Sequence, residues 1–401
     1  MKRIQVRYHA QPDDVIAVGE LAEEGRAFFF EYDEAFLSRG YALSPFKLPL
    51  LPGLQTFARL PGVFDDALPD GWGRLLMDRF FRQQGRSSSA LTELDRLAWL
   101  GEGAMGALSF HPPDRGAEEV LAGFDLGRLA KEARSVYEGD AAVVLPELMR
   151  AGGSPGGARP KVLIGVCGKD ILSGTFDYPD GYEAWMVKFF ARTDSPDTGA
   201  VEAAYAGMAQ AAGILFPPCR LFSVKEGDFF GVKRFDRVGR RRIHMHSLAN
   251  LIGADFRVPC CDYQDVLKVV RVLTGNQEDV RRAYRLMLFN VIAHNRDDHV
   301  KNFSFLFKPE DGWSLSPGYD LTFSEGPGGE HTTSVCGEGR TPGLSQVKRV
   351  AAGVGIDESD AIQMIDEVRS VISSWPSYAL KFGVRKSNRD RIQKKFNMLG
   401  S

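Results

Sequence analysis

The chain is poor in cysteine and lacks the long apolar runs that membranes require. Its five cysteines form no C-x-x-C pair, and their odd number argues against a disulfide framework or a zinc site of the usual spacing. No apolar leader follows the first methionine, and no uninterrupted apolar run approaches the ~20 residues of a spanning helix. We therefore expect a cytoplasmic protein with reduced thiols and no membrane partner.

A strong charge of either sign is also missing. The 50 basic and 52 acidic side chains give a formal net charge of -2, which argues against a dedicated nucleic-acid-binding protein. No Walker A loop occurs, because no Gly-Lys pair is followed by Ser or Thr. The composition is that of an ordinary globular chain, and 401 residues suffice for two or three domains.

What is present is a changing hydrophobic pattern. Alternation predicts strands from residue 3 to about 33, and helical spacing follows in LPDGWGRLLMDRFFRQQG, with Asp70 as N-cap, and in LTELDRLAWLG. Strands, a helix and further strands are predicted from about 161 to 235. Mainly helices follow, interrupted by one hairpin near residues 303–317. The pattern predicts an α+β fold with a β-rich beginning and a helical end.

Two glycine-rich segments need separate interpretation. GEGAMG at 101–106 fits G-x-G-x-x-G, but a helix precedes it and a strand follows, the reverse of the dinucleotide-binding order, so we interpret it as a plain connection. AGGSPGGARPKVLIGV at 151–166 could cradle a phosphate, because glycine frees backbone N–H groups and two cations stand at the mouth of a strand. An ordinary surface loop fits this segment equally well. The candidate residues are Gly156, Gly157, Ala158, Arg159 and Lys161.

Lys188 lies within the apolar strand AWMVKFF, between Val187 and Phe189. A buried ammonium group needs an anionic partner, because desolvation disfavours its charged form. Glu202 in the following helix is one candidate partner, and a nucleotide phosphate is another. A lysine that extends to solvent from an edge strand is the alternative.

The polar segment HNRDDHVKN, residues 294–302, joins a predicted buried helix to the predicted hairpin. Asp297 and Asn302 precede the hairpin and Asp320 follows it, so all three are expected at one end of its two strands. One carboxylate that accepts a hydroxyl proton, with an Asn and a second Asp that hold Mg²⁺, is the arrangement of phosphoryl transfer from ATP, and four residues separate Asp from Asn in the protein-kinase loop as here. A solvated loop that caps the helix is the other interpretation. A zinc site is a weaker one, since no cysteines flank the histidines.

Six short segments, in order, resemble the HipA family of bacterial Ser/Thr kinases, the toxins of HipA–HipB toxin–antitoxin modules. They are LPDGWGR (68–74), GALSF (106–110), MVKF (186–189), KRFDR (233–237), DDHVKNFSF (297–305) and SPGYDL (316–321). The resemblance implies a protein-kinase-like bilobal fold with an extra β-rich N-terminal domain. It implies domains at 1–110, a helical linker at 111–150, an ATP-binding lobe at 151–235 and a helical catalytic lobe at 236–401.

The resemblance also assigns roles. Asp297 would be the catalytic base, Asn302 and Asp320 would hold Mg²⁺, and Lys188 would contact the α- and β-phosphates of ATP. The other nucleotide contacts would come from the backbone hinge Lys233, Arg234 and Phe235 and from His299, Lys301 and Tyr319. Ser154 stands where the family has an autophosphorylated serine that switches the kinase off. The implied partners are a protein substrate such as an aminoacyl-tRNA synthetase, a HipB-like helix-turn-helix antitoxin, and operator DNA through that antitoxin.

The chain departs from the family pattern at two places. Pro155 and Pro160 restrict the glycine-rich loop and remove N–H donors. Asp298 replaces a small residue, so either aspartate could be the base, and we choose Asp297 for its spacing from Asn302. Two other functions stay open: a kinase acting on a small molecule, and a catalytically silent kinase fold that serves as corepressor beside a DNA-binding antitoxin.

Overall fold

The computed structural model describes residues 1–113, 125–140, 144–152, 157–173 and 177–399. The chain divides into two compact units. The first is Met1–Pro196, Phe222–His246 and Phe307–Glu310; the second is Asp197–Leu221, Ser247–Leu306 and Asp311–Ser401. Ser154, Gly156 and parts of the predicted linker at 111–150 lie outside the described residues.

The first unit begins with an antiparallel five-stranded sheet in the order β4-β3-β2-β1-β5. Alternate residues of the first strand, Ile4, Val6 and Tyr8, are buried, as the period of a half-buried strand requires. The elements are β1 (Lys2–Gln11), β2 (Asp14–Glu24), β3 (Ala27–Tyr32), α1 (Glu34–Arg39), β4 (Gln55–Phe57), α2 (Gly62–Asp65), α3 (Gly71–Gln83), α4 (Glu93–Leu100) and β5 (Leu108–His111). GEGAMG joins α4 to β5, which confirms the plain helix-to-strand connection.

A second antiparallel sheet follows. Its strand order is β7-β6-β8-β10-β9, and Lys161 of β6 lies directly opposite Lys188 of β8. The elements up to residue 247 are α5 (Leu126–Glu138), α6 (Pro146–Gly152), β6 (Lys161–Cys167), β7 (Asp170–Ser173), β8 (Glu183–Lys188), α7 (Thr198–Ala211), β9 (Cys219–Val224), β10 (Gly227–Lys233), β11 (Arg237–Val238), β12 (Arg241–Arg242) and β13 (His244–Ser247). The two lysines thus stand side by side on the sheet at the end of the glycine-rich loop.

The second unit is mainly helical. Its central helix, α10, buries residues at helical spacing, including Val280, Ala283, Met287 and Val291. The elements after β13 are α8 (Leu248–Ile252), β14 (Cys261–Asp262), α9 (Tyr263–Thr274), α10 (Gln277–Ile292), β15 (Ser304–Lys308), β16 (Gly312–Leu315), β17 (Thr333–Ser334), α11 (Leu344–Gly353), α12 (Glu358–Ser373), α13 (Trp375–Lys381) and α14 (Lys386–Gln393). Short 3₁₀ turns occur at Ser88–Ala90, Gly101–Gly103, Val300–Asn302 and Pro327–Gly329.

Most of the expected elements are present. The α+β class, the β-rich beginning, the hairpin near residues 303–317 and the helical end are confirmed. The boundaries drawn at 110, 150 and 235 stay predictions. No described helix combines the length and apolarity needed to cross a bilayer.

Candidate active site

The polar segment 294–302 follows directly after the C-terminal end of α10. The helix ends at Ile292 with Ala293 as its C-cap, and His294 takes a left-handed φ of 55° that turns the chain. The Asn295 side chain then donates to Asn290 Oδ1 of the last helical turns at 2.9 Å, and residue 295 forms a parallel bridge with Ser324. The start of the segment is therefore held at both its backbone and its side chain.

Asp298 is fully buried and saturated with hydrogen bonds. Its carboxylate lies 2.8 Å from the Tyr263 hydroxyl and 2.8 Å from His331 Nδ1. The backbone N–H groups of Thr332 and Thr333 donate to it at 2.8 and 3.2 Å. Four partners occupy the roughly four lone-pair sites of a carboxylate, so no site remains for a substrate hydroxyl or a metal. Asp298 therefore fastens the segment to residues 331–333 and to α9.

Asp297, the adjacent residue, has the opposite environment. Its side chain is 57% exposed, with His299 Nε2 at 3.8 Å from one carboxylate oxygen. The Asn302 amide donates to the Asp297 carbonyl at 2.8 Å, which fixes the distance between the two ends of the loop. Of the two aspartates, only Asp297, which its spacing from Asn302 favours, presents its carboxylate to solvent.

Phe256 supports the middle of the segment. The His299 ring packs against it at 5.4 Å between centroids, and Lys301 Nζ lies 4.6 Å from its ring centre. His299 Nδ1 is buried without a hydrogen-bond partner among the described residues, so a donor or acceptor from a ligand would satisfy it. Periodicity in the sequence carried no signal for Phe256.

The segment after the hairpin is tied to the same loop. The Tyr319 hydroxyl donates to the Lys301 carbonyl at 2.6 Å and lies 2.6 Å from Ser304 Oγ, so the hydroxyl is engaged within the protein. Asp320 follows with a left-handed φ of 56°, a rare conformation for a residue other than glycine that often marks functional sites. Asp320 is half-buried.

The oxygen ligands present suit Mg²⁺. Asn302 and Asp320 offer hard oxygen atoms, and Mg²⁺ is usually bound by one or two protein groups together with substrate phosphates. Among the described residues no group of three or more His, Cys, Asp or Glu side chains is arranged to hold a metal, so a dedicated protein-only cage is absent from that part of the chain. The residues fit a cation that arrives with a nucleotide.

In the first unit, the glycine-rich loop ends at a buried cation. Lys161 is only 6% exposed, whereas Lys188 is half-buried with its Nζ 5.7 Å from the Phe230 ring centre. Gly157 has a φ of 97°, which favours glycine, and Arg159 pairs with Asp194 at 2.7 Å. Lys188 and Glu202 belong to different units, and their pairing stays a prediction.

The charged side chains of KRFDR are occupied by the protein itself. Arg234 donates twice to Asp236, at 2.9 and 2.7 Å, and Arg237 donates to the same carboxylate at 2.9 Å and to the Gly106 carbonyl at 2.7 Å. Burial would raise the pKa of Asp236, but the two guanidinium groups hold it well below its usual range. The Lys233 ammonium pairs with Glu183 at 2.5 Å.

This arrangement limits what the predicted hinge can offer a nucleotide. The Arg234 N–H donates to the Ala184 carbonyl at 2.8 Å, so both its backbone donor and its side chain are engaged within the first unit. Contacts of a nucleotide with the backbone of Lys233, Arg234 and Phe235 stay a prediction from the resemblance.

The structure also contains a group of polar side chains that the sequence analysis did not predict. Ser44 Oγ lies 3.0 Å from His246 Nε2, and His246 Nδ1 lies 2.5 Å from Asp66 Oδ2, the connectivity of a hydrolase triad. Ser44 and His246 are both 0% exposed, so no substrate can reach the hydroxyl. We interpret this group as a buried structural network. It left no sequence signal because Ser44 and His246 are 202 positions apart.

Comparison with known proteins places the two parts of the sequence in one family. The sequence pattern of the HipA N-terminal domain matches residues 14–111, and that of the HipA-like C-terminal domain matches residues 153–375, more than half of the chain. Y4dM of Sinorhizobium fredii, named as a candidate kinase, is 30% identical over 97 residues, which is 24% of this chain and 24% of that protein. The chain therefore spans about a quarter of that relative's length in the alignment.

Among solved structures, a chain of the Shewanella oneidensis MR-1 complex of HipA, HipB and its operator DNA is similar to this one. The TM-score is 0.70 at 17% identity, covering 99% of this chain and 95% of that chain. At this identity the likeness speaks for the fold, which is an α+β fold of HipA type. With both domain patterns matched in order along one sequence, the chain belongs to the HipA family.

Proposed function

We propose that this HipA-family protein is an ATP- and Mg²⁺-dependent serine/threonine protein kinase. The observation that carries the proposal is a contrast within the polar segment 294–302. The Asp298 carboxylate is buried and has all its hydrogen-bond partners, while Asp297 is exposed and its carbonyl accepts from Asn302. A carboxylate that must take a proton from a substrate has to be accessible, and its position has to be fixed. Asp297 meets both requirements.

Asp297 acts as the base in this proposal. The hydroxyl proton of the protein substrate passes to its carboxylate while the oxygen forms a bond to the γ-phosphorus of ATP. The bond between that phosphorus and the β–γ bridging oxygen breaks, and ADP leaves. His299, with Nε2 3.8 Å from the Asp297 carboxylate, helps to orient it.

Nucleotide and metal are assigned to named oxygen and nitrogen groups. Asn302 uses its Nδ2 for the Asp297 carbonyl, which leaves Oδ1 to hold Mg²⁺ together with Asp320. Bound Mg²⁺ would neutralise charge that develops on the phosphates. Lys188 is assigned to the α- and β-phosphates, with Lys161 and Lys301 as further cations, and backbone groups of Lys233, Arg234 and Phe235 to adenine.

The finer assignments come from the family. Ser154 is proposed as an autophosphorylation site, and an aminoacyl-tRNA synthetase as the protein substrate. A HipB-like antitoxin, and operator DNA through it, are proposed as partners because the similar solved structure is a complex of HipA with HipB and operator DNA. Toxin activity in the host belongs to the same proposal.

The test is transfer of labelled γ-phosphate from ATP in the presence of Mg²⁺. The wild-type chain is compared with Asp297→Asn and with Asp366→Asn, which makes the same chemical change at a 66% exposed position in α12. We expect transfer by the wild type and by Asp366→Asn, with phosphate located at Ser154 by mass spectrometry, and a loss of about 10²–10⁴-fold in Asp297→Asn.

Each contrary outcome points to a different function. No ATP binding by the wild type would reject the kinase and favour a silent fold acting as corepressor. ATP binding without transfer to the chain itself or to any protein would favour a small-molecule substrate. Equal transfer by Asp297→Asn would show that the base has been assigned to the wrong residue.

A further inference from the structure

The motif LPDGWGR, residues 68–74, has no part in the proposed chemistry, yet its side chains are engaged in an unusual way. Asp70 occupies the N-cap position of α3, where an aspartate ordinarily accepts from the first N–H groups of the helix. No such bond is present. Its carboxylate instead accepts from the backbone N–H of Gly157, at the C-terminal end of the glycine-rich loop. Asp70 therefore holds the end of the glycine-rich loop and does not cap α3.

The two following residues hold the same short stretch. The Trp72 N–H donates to the Gly157 carbonyl at 3.0 Å, and its indole N–H donates to the Lys161 carbonyl at 2.9 Å. Gly71 approaches so closely that a Cβ atom there would lie 2.7 Å from the Gly157 carbonyl oxygen. Trp72 is completely buried, so its donors are fixed in place.

Both peptide groups of Gly157 are therefore oriented from outside the loop. Its N–H is held by Asp70 and its carbonyl by Trp72, while Lys161 Nζ occupies the space where a side chain at position 157 would stand. The direction of successive N–H groups decides whether a glycine-rich loop can bind phosphate. A loop held in one conformation binds its ligand without a further ordering cost.

We propose that Asp70 is a positioning residue for the nucleotide. It fixes the segment Gly157–Lys161 so that the Lys161 ammonium and the neighbouring amides can receive the phosphates of a nucleoside triphosphate, and it does so through Gly157 without touching the ligand. The N-terminal β-rich domain thereby forms part of the nucleotide-binding apparatus. This inference rests on the proposed kinase function.

The chain offers a matched control for the test. Asp33 is the N-cap of α1 in the same domain, and its carboxylate does what Asp70 does not, accepting from the Ala35 N–H at 2.9 Å. Asp33→Ala removes a true helix cap, whereas Asp70→Ala removes the loop anchor. Asp70→Asn keeps an acceptor oxygen of the same shape and should restore most of what Asp70→Ala loses.

Two readouts are required on the full chain. Hydrogen–deuterium exchange of the amides of residues 157–159, without nucleotide, reports the anchor directly. The KM for ATP and kcat of phosphate transfer report its use. For Asp70→Ala we expect at least ~10-fold faster exchange and a ~10-fold higher KM with kcat changed less than about 2-fold. Asp70→Asn should lie near the wild type, and Asp33→Ala should lower the melting temperature without changing either readout.

Unchanged exchange in Asp70→Ala would overturn the anchor. Faster exchange with an unchanged KM would overturn the positioning role. An equal rise of KM in Asp33→Ala would show a general effect of destabilising the domain, and this too would overturn the proposal. A wild type that binds no ATP would refute the proposed kinase and with it the nucleotide role of Asp70, while the exchange data would still report whether Asp70 holds the loop.

Discussion

Two motifs that look alike in the sequence, KRFDR at 233–237 and DDHVKN at 297–302, have opposite fates in the structure. In the first, one aspartate and two arginines are buried and form ion pairs with one another. In the second, the charges divide: Asp298 is buried and saturated, and Asp297 is exposed. Acidic and basic residues in one motif therefore do not identify a reactive group. What distinguishes the candidate base is that the fold leaves its carboxylate unburied beside a neighbour that holds the backbone.

The largest effect on stability is expected at Asp236, whose single negative charge is paired with two buried arginines. In Asp236→Ala, the buried guanidinium groups of Arg234 and Arg237 lose their common carboxylate, and the Gly106 N–H loses its acceptor. Removing one partner of a buried ion pair costs about 3–5 kcal/mol, because an uncompensated charge remains. Urea unfolding followed by circular dichroism should show this loss. A change below 1 kcal/mol would mean that water reaches these arginines.

A second variant tests the structural role of Asp298 in the polar segment 294–302. Asp298→Ala leaves the Tyr263 hydroxyl, His331 and two backbone N–H groups without their acceptor. We expect a loss of about 2–4 kcal/mol in the free energy of unfolding, since each unsatisfied buried donor costs on the order of 1 kcal/mol or more. The same unfolding experiment measures it. Full stability in Asp298→Ala would contradict the assignment of Asp298 as the fastening residue.

The sequence predicted the positions of the secondary-structure elements well, but it predicted the contacts of their side chains less well. Strand alternation, helical spacing and the turn PEDG are local, and they placed the sheet of the first unit, α10 and the hairpin correctly. The spacing from Asn302 favoured Asp297 over Asp298, but the burial of Asp298 is not a local property. It is set by Tyr263 on α9 and by residues 331–333, about 35 positions away on either side, which no pattern in the segment could indicate.

The same limit explains the helix cap and the triad-like group. Asp70 has the residue type and position of an N-cap, but its carboxylate accepts from the distant Gly157 N–H. Ser44, Asp66 and His246 come from three separate parts of the chain. Contacts between distant segments decide burial, and burial decides whether a polar side chain serves structure or chemistry.

As the pH falls, we expect the polar segment 294–302 to lose stability at a higher pH than KRFDR. Burial lowers the pKa of His294, the first residue of the polar segment 294–302, to about 4, with a further lowering from Arg296 that Glu325 partly offsets. Its contribution to stability is complete above the unfolded pKa of about 6.5 and is lost as the pH falls towards 4, at up to about 1.4 kcal/mol per pH unit. Asp236 has a lowered pKa, so its contribution persists throughout this window and is lost only at more acidic pH.

His294→Asn is the matched variant for the acid effect. Asparagine tolerates the left-handed φ of 55° at this position but does not titrate between pH 4 and 7. The free energy of unfolding, measured against pH, should therefore fall less steeply below pH 6.5 in this variant than in the wild type. The other buried histidines with lowered pKa, His9 and His244, titrate in both proteins and cancel in the difference. Identical slopes would show that His294 is protonated freely in the folded state.

The smallest effect on stability is expected for the residue with the largest expected effect on activity. Asp297→Asn changes a side chain that is 57% exposed and leaves intact the carbonyl that accepts from Asn302. Its free energy of unfolding should stay within about 0.5 kcal/mol of the wild type, the usual range for surface substitutions. Paired unfolding curves of Asp297→Asn and Asp298→Asn are the direct measurement. If both variants lose the same stability, the two aspartates share one structural role, and the loss of phosphate transfer in Asp297→Asn could no longer be assigned to proton transfer. If only Asp298→Asn is destabilised, a folded and inactive Asp297→Asn protein isolates the chemistry from the fold.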